Sequence, residues 1–487
     1  MSALSLLLAL AVMTPAAQAN TYDEFGIGTR IVDANYVRGP KQVTLEFKPR
    51  ATGSHVIRLV SASGAGLQFS VFRIPASGEG GIRIGKTGGT DKPRTWKGFL
   101  DGSKRYYINV WSSRGSARFT AKVRAVEPMA TKTLADPEPS ADLTTSPTAS
   151  WQVDGTANAV VVAGQTMFVG GDFTNVYSKN GGSLPRSYLV GIDRATGEPT
   201  SFTPELNGAV WALALSPDQN TLYVGGSFRM AQGQSRKYIA AYDVKTGRLT
   251  SFDPPSPNSA LRAIAADGKK VYLGGLFTSL GGVRRNYVAA VEAGTGKLDN
   301  RFVAWPNDKV NSLVIGIDRL WLGGEFTTIG GVRQKGLGAV DPISGKRQAT
   351  SDVVYPVIAL AVSDTQLFVA GGGPGGRGAA FSRATGAKQW EIESDGNFQA
   401  VDTLGGGRFV YFGGHYETIE GNGSVDRLTR HYAKNGKTDV SWLPQVNGMR
   451  SINAIDVTGS GIHIGGDFTK VDGEAHRGFA IITGDTR

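Results

Sequence analysis

The run Leu273-Gly-Gly-Leu-Phe-Thr-Ser-Leu-Gly-Gly-Val-Arg284, followed by Ala290-Val-Glu292 and Gly296-Lys297, decides how the chain is read. Forty-nine residues further on, without a gap, stands Leu322-Gly-Gly-Glu-Phe-Thr-Thr-Ile-Gly-Gly-Val-Arg333, followed by Ala339-Val-Asp341 and Gly345-Lys346. Two such stretches at one offset are copies of one unit. Gly-Gly pairs begin at Gly170, Gly225, Gly274, Gly323, Gly371, Gly413 and Gly465, which makes seven copies.

Each copy has the same grammar. An apolar strand such as Val210-Trp-Ala-Leu-Ala-Leu215 ends in a turn. A second strand carries the glycine pair (Leu222-Tyr-Val-Gly-Gly-Ser-Phe228), and a third reads Tyr238-Ile-Ala-Ala-Tyr-Asp243. Lys245-Thr-Gly247 then turns the chain into a short strand marked by Ser-Phe or Ser-Trp. Four strands in about 50 residues is the period of a propeller blade, and paired glycines fit a place where another backbone comes too close for a side chain. The last copy runs out at Ile481-Ile-Thr-Gly-Asp-Thr-Arg487, just past its third strand. Ser150-Trp-Gln-Val-Asp-Gly155, placed before the first copy, resembles Ser441-Trp-Leu-Pro-Gln-Val-Asn-Gly448. The expectation is a seven-bladed β-propeller over residues 150–487, closed when that early strand pairs with the last blade and covers two open edges. Hydrophobic-Gly-Gly-x-Phe-Thr, the Gly-Gly-x-x-Arg tail, Ala-Ala-x-Asp and x-Thr-Gly resemble the delta-60-type, Kelch-like repeat propellers of secreted and surface proteins. That resemblance implies export and contact with envelope or glycan, and it brings no catalytic residue.

The remainder reads as three further segments. Residues 1–19 carry an apolar run and end in Ala17-Gln-Ala19, the form of a secretory signal peptide. Residues 20–130 alternate with period two (Val43–Phe47, His55–Val60, Leu67–Phe72, Tyr106–Trp111, Ala117–Val123), which predicts a small antiparallel β-sandwich. This segment is basic: 18 Lys and Arg stand against 8 Asp and Glu, a net +10 of the chain's +11. Residues 131–149, rich in Pro, Ser and Thr, read as a linker.

Composition excludes several chemistries. With no cysteine there is no disulfide frame, thiol nucleophile or Cys-based zinc site. The five histidines are dispersed, and neither H-E-x-x-H nor G-x-S-x-G occurs, so no metal or cofactor is expected. Gly80-Gly-Ile-Arg-Ile-Gly-Lys-Thr87 matches a phosphate-binding loop, but Gly88, Gly89 and Pro93 follow where a helix would have to begin, so no nucleotide is expected. No segment is apolar over the length a membrane span needs.

Two sets of site residues remain. Trp96, Arg105, Tyr106, Tyr107 and Trp111 of the basic segment offer aromatic and cationic contacts to a polysaccharide or anionic envelope polymer. In the repeats, the residue after each glycine pair is Asp172, Ser227, Leu276, Glu325, Gly373, His415 and Asp467. Equivalent positions on a ring share one circle, so Asp172, Glu325 and Asp467 suit acid–base work on glycosidic bonds, and His415 with Tyr416 suits proton abstraction in a polysaccharide lyase. Copy six departs furthest from the frame, at Glu417, Glu420, Asn422, Arg427, Arg430 and His431, while Arg186, Arg236, Arg285 and Arg477 sit at similar phases. The function expected is that of a secreted, monomeric extracellular or cell-envelope protein that binds glycans or another anionic surface polymer. The alternative is a polysaccharide hydrolase or lyase working at the repeat face.

Overall fold

The computed structural model describes residues 143–484, apart from 317, 422, 450 and 451, together with strand segments between residues 24 and 125. The expected signal peptide lies outside the described residues. Among those described there is no helix, and none long and apolar enough to cross a membrane. The chain divides into two compact units, Met1–Pro128 and Met129–Arg487.

In the N-terminal unit the alternating segments form one five-stranded and one four-stranded sheet. Leu67–Arg73 pairs antiparallel with Tyr106–Ser112, setting Phe69 opposite Val110 and Val71 opposite Ile108. All four are buried, as the period-two pattern requires of one covered face. Ile82–Lys86 is a strand paired with Leu67–Arg73, so the lysine of the loop-like Gly80–Thr87 run ends a strand.

The C-terminal unit carries a series of seven antiparallel sheets, one per repeat, with short hairpins between them; the sheet of repeat 5 also takes in the hairpin strands Thr418–Ile419 and Gly423–Ser424 of repeat 6. The first strands of the seven sheets are Thr156–Ala163, Val210–Leu215, Leu261–Ala266, Val310–Ile315, Val357–Val362, Phe398–Thr403 and Ile452–Thr458. Each pairs with the strand carrying the glycines, which pairs with the third strand. The fourth strand is short: a single bridge in repeats 1, 2, 3 and 6, two residues in repeat 4, and a full strand, Lys388–Ser394, in repeat 5.

No repeat buries its core alone. Every hydrophobic cluster is shared by two neighbours: Phe168 of repeat 1 packs with Phe202, Leu222 and Val224, and Phe302 with Val310, Leu322 and Phe326. One cluster joins Phe479 and Ile481 of repeat 7 to Val153, Val160 and Val169 of repeat 1. The glycine pairs make this approach possible. A Cβ on Gly274 would lie 3.0 Å from Cγ1 of Val310 in the next repeat, and one on Gly465 would lie 3.0 Å from Cγ1 of Val160.

Polar links between first strands repeat as well. Asn158 and Asn311 donate their amides to the carbonyls of Val210 and Val357 in the following repeat. Asn453 of repeat 7 donates likewise to Ala157 of repeat 1. Asp402 accepts from the Val457 N–H at 2.7 Å, and Asp456 of repeat 7 accepts from the Val162 N–H of repeat 1 at 2.9 Å.

The early strand that meets repeat 7 differs in register from the expectation. Residues 143–148, within the stretch read as linker, lie along the third strand of repeat 7: Leu143 bridges Gly484, and the Thr144 and Thr148 N–H groups donate to Thr483 and Ile481. The Trp442 indole N–H adds a bond to the Thr144 carbonyl. Gln152–Val153 pairs with Asn175–Tyr177 of repeat 1 and reaches repeat 7 through the Val153 N–H to Arg477 and the Gln152 side chain to Ala475 and Arg477. The Ser-Trp match set Trp151 on Trp442, but Val153 pairs with Val176 as Val446 bridges Val471, and one residue separates Trp151 from Val153 where three separate Trp442 from Val446.

Candidate functional site

The first strand begins at the same end of every repeat, and there it is irregular in the same way. Val210 stands opposite Gly226 and Ala212 opposite Gly225, so Trp211 is an extra residue, a β-bulge. The same shift recurs in all seven first strands, at Asn158, Trp211, Arg262, Asn311, Ile358, Gln399 and Asn453. A bulge re-aims its side chain out of the ladder. None of the seven is fully buried, and Arg262 is exposed.

These bulges share an end with the residues after the glycine pairs. Among the latter, Asp172, Ser227, Leu276 and Glu325 are exposed, and His415 and Asp467 are half-buried. Repeat 5 needs a correction: Val357 stands opposite Gly371 and Ala359 opposite Ala370, so Gly371 is the second residue of the pair and Gly372, rather than Gly373, follows it.

A third feature of this end went unread in the sequence. In six of the seven repeats the residue opening the loop before the first strand is Asp or Asn, and its Oδ1 accepts two successive backbone N–H groups from the hairpin after the glycine pair; repeat 5 has Val354 there. Asn207 takes Arg229 and Met230, Asn258 takes Thr278 and Ser279, Asn307 takes Thr327 and Thr328, and Asn447 takes Thr469 and Lys470. Asp395 holds Glu417 and Thr418, and Asp154 holds Thr174 and Asn175. Burial works against the Asp154 carboxylate, yet bonds from Asn175 and Thr174 hold its pKa down at about 2. The signal was present in Asn207-Gly208 and Asn447-Gly448, but spacing alone does not reveal an acceptor.

The expected catalytic residues are placed differently from one another. His415 stays at the rim with both ring nitrogens engaged: Nε2 accepts from the Asn397 N–H at 3.3 Å, and Nδ1 lies 3.3 Å from the Gln399 amide. Gln399 Oε1 is buried without a partner, and a half-turn of the amide would bring it onto Nδ1–H, satisfying both groups. Tyr416 does not face the rim. It is completely buried, its hydroxyl bonded to the Phe412 carbonyl at 2.8 Å and to Thr429 at 2.7 Å. Desolvation raises its pKa far above the ordinary tyrosine value. Glu325 is paired with Lys309 at 3.0 Å. Asp172 and Asp467 belong to repeats 1 and 7, which share a core.

In repeat 6, Arg430 and Asp439 form a buried pair at 2.7 Å, His431 is buried with its pKa pushed down to about 4 by desolvation, and Arg427 pairs with Glu417. These are packing solutions of the sheet interior and its edge. Asn422 lies outside the described residues. The arginine phase holds for Arg186, Arg236 and Arg285, whose N–H groups donate to Thr174, Arg229 and Thr278, but in repeat 7 it falls on His476, which donates to Thr469. Of the N-terminal candidates, Tyr106 is buried against its sheet. Trp96, Tyr107 and Trp111 lie on strands, and their side chains, like Arg105, lie outside the described residues.

Chemically, the rim offers amides, two indoles under guanidinium groups and scattered carboxylates. Arg262 lies 4.1 Å above the Trp211 ring. Such a set hydrogen-bonds hydroxyls and stacks on flat apolar faces. Among the described residues no cluster of three or more His, Asp or Glu is arranged to hold a metal ion. A scan against protein-family models gave no match, and a search of curated proteins found no relative.

Proposed function

We propose that the chain is an exported protein whose C-terminal unit closes as a seven-bladed propeller of the delta-60-repeat sort. Its bulge-bearing rim binds glycans of a cell envelope or surface. Closure is supported by the recurrence, between repeats 7 and 1, of links found between interior neighbours: the Asn453 amide, the Asp456 carboxylate and the shared Phe479–Val160 core. The basic N-terminal unit, read as a sandwich, adds attraction for polyanions.

The observation that carries the binding reading is the row of seven bulges. It turns Trp211, Arg262 and Gln399 out of their ladders at one end of the repeats, while Asn158, Asn311 and Asn453 donate to the next repeat. An indole beside amides is a sugar-binding chemistry, apolar against the ring face and polar toward its hydroxyls. The test is retention of the full mature chain on immobilised neutral and acidic polysaccharides. Retention weakened at least fivefold by Trp211→Ala, with the melting temperature unchanged, supports the reading, and no retention on any polymer removes it. Release of new reducing or unsaturated ends would make the rim an enzyme's site.

A further inference from the structure

Two guanidinium–indole pairs have their arginine in repeat 3. Arg262, its bulge residue, lies on Trp211 of repeat 2. Arg284, in its hairpin, lies 5.2 Å above Trp305, in the loop leading to repeat 4. Both arginines are exposed. Among the described residues no carboxylate forms an ion pair with either. Arg284 has one long bond, 3.4 Å, to the Asn286 side chain. Burial against the indole works against the charged form of Arg262, so an anionic partner would satisfy it.

Trp305 gives a second, independent sign. Its φ is +57°, a turn that Glu205 also makes in repeat 2 at +48° and that is costly for a bulky side chain, and the residue is 37 % exposed. The Gly330 N–H donates to its carbonyl and Pro306 bridges Ile329, which fix the strained residue against the hairpin of repeat 4. The fold thus holds a large aromatic outward at a conformational cost, with an arginine laid across it. Stacking occupies the flat face of a guanidinium and leaves its in-plane N–H edge free for two parallel bonds to a carboxylate.

We infer that repeat 3 recognises the carboxylate groups of an acidic, uronate-type glycan, one guanidinium–indole pair to each of two sugar acids. The inference rests on the glycan-binding reading and names the class of glycan. A sugar acid offers both partners at once, an apolar ring face for the indole edge and a planar anion for the guanidinium. A polyphosphate has no ring to match the tryptophans.

The experiment measures binding of the full chain to polygalacturonate and to its fully methyl-esterified form at fixed ionic strength. It uses the parent protein, Arg262→Lys, Arg284→Lys, the double variant, and Arg248→Lys as a control in the strand-three turn. Lysine keeps the charge but loses the planar fork. The parent should bind the acid at least about tenfold better than the ester, each lysine variant at the pairs should lose about tenfold for the acid alone, and Arg248→Lys should lose nothing. Equal affinity for acid and ester would overturn the inference while leaving glycan binding intact, as would acid binding unchanged in the double variant. Displacement by inorganic polyphosphate as effective as by free polygalacturonate would also overturn it. Failure to bind either polymer would overturn the inference alone, since the glycan-binding reading falls only when no polysaccharide of the wider panel is retained.

Discussion

Replacing Asp456 by alanine tests whether repeats 7 and 1 are joined as interior neighbours are. Asp456 is buried and its carboxylate accepts the Val162 N–H across the seam, as Asp402 accepts Val457 between repeats 6 and 7. Alanine leaves the N–H half-buried without a partner, at a cost of about 2 kcal/mol. The unit spanning 129–487 unfolds with an entropy of about 0.7 kcal/mol/K, so the loss lowers its melting temperature by about 3 °C. Calorimetry on Asp456→Ala and Asp402→Ala should show equal shifts, and Asp456→Asn, which keeps an acceptor oxygen, should recover most of the loss. A shift for Asp402→Ala with none for Asp456→Ala would refute the argument, since the seam would then carry no native bond.

Other expectations concern buried groups. His431 and His476 are fully buried with pKa values lowered by desolvation to about 4, against an ordinary 6.5. The unfolded chain binds these protons below pH 6.5 and the folded chain does not until about 4. Their contribution is therefore intact above 6.5 and declines across that window, by up to about 3 kcal/mol each. Urea midpoints should fall from pH 6.5 to 4.5 and His476→Leu should flatten the fall; a midpoint constant over that range contradicts the sign. Tyr416→Phe should destabilise by about 1 kcal/mol while leaving polysaccharide retention unchanged, and lost retention in a folded variant would restore Tyr416 to the site. Asp439→Ala strands Arg430, held over Phe409 and Trp442, and should cost about 3 to 5 kcal/mol by chemical denaturation; a loss under 1 kcal/mol would mean that the cation finds water.

The sequence disclosed what repetition carries and concealed what depends on register. Strand order follows from an apolar run, a glycine pair and an Ala-Ala-x-Asp run, because each states a local steric need. The bulges do not, since Trp211 reads as one more residue of an apolar strand until Ala212 is seen opposite Gly225. The same blindness put Gly373 for Gly372 and Arg477 for His476, each a slip of one residue in a frame fixed by pairing. His415 and Tyr416 diverge because the strand Phe409–Gly414 has ended and the chain bends: His415 reaches the rim, while the Tyr416 ring enters the core beside Phe398. Arg284 and Trp305 are 21 positions apart in sequence, and only the packing of consecutive repeats brings them together.

The Asx clamp separates the tips of the hairpins from the structure that holds them. In repeat 1, residues 178–182 separate the hairpin strands Asn175–Tyr177 and Ser183–Pro185, whereas in repeat 2 two residues separate Met230–Ala231 from Gln234–Ser235. Both hairpins are nonetheless tied at their base through the same two N–H groups. At the repeat 1 tip, where Lys179 and Asn180 are exposed, exchanges can therefore accumulate almost neutrally, because the anchoring oxygen lies in a different loop from the one that varies. At the repeat 2 tip Gln232 is tied to Thr203, Gly247 and Leu249, so a library randomised at residues 179–180 should return mostly folded members and one randomised at 232–233 should not.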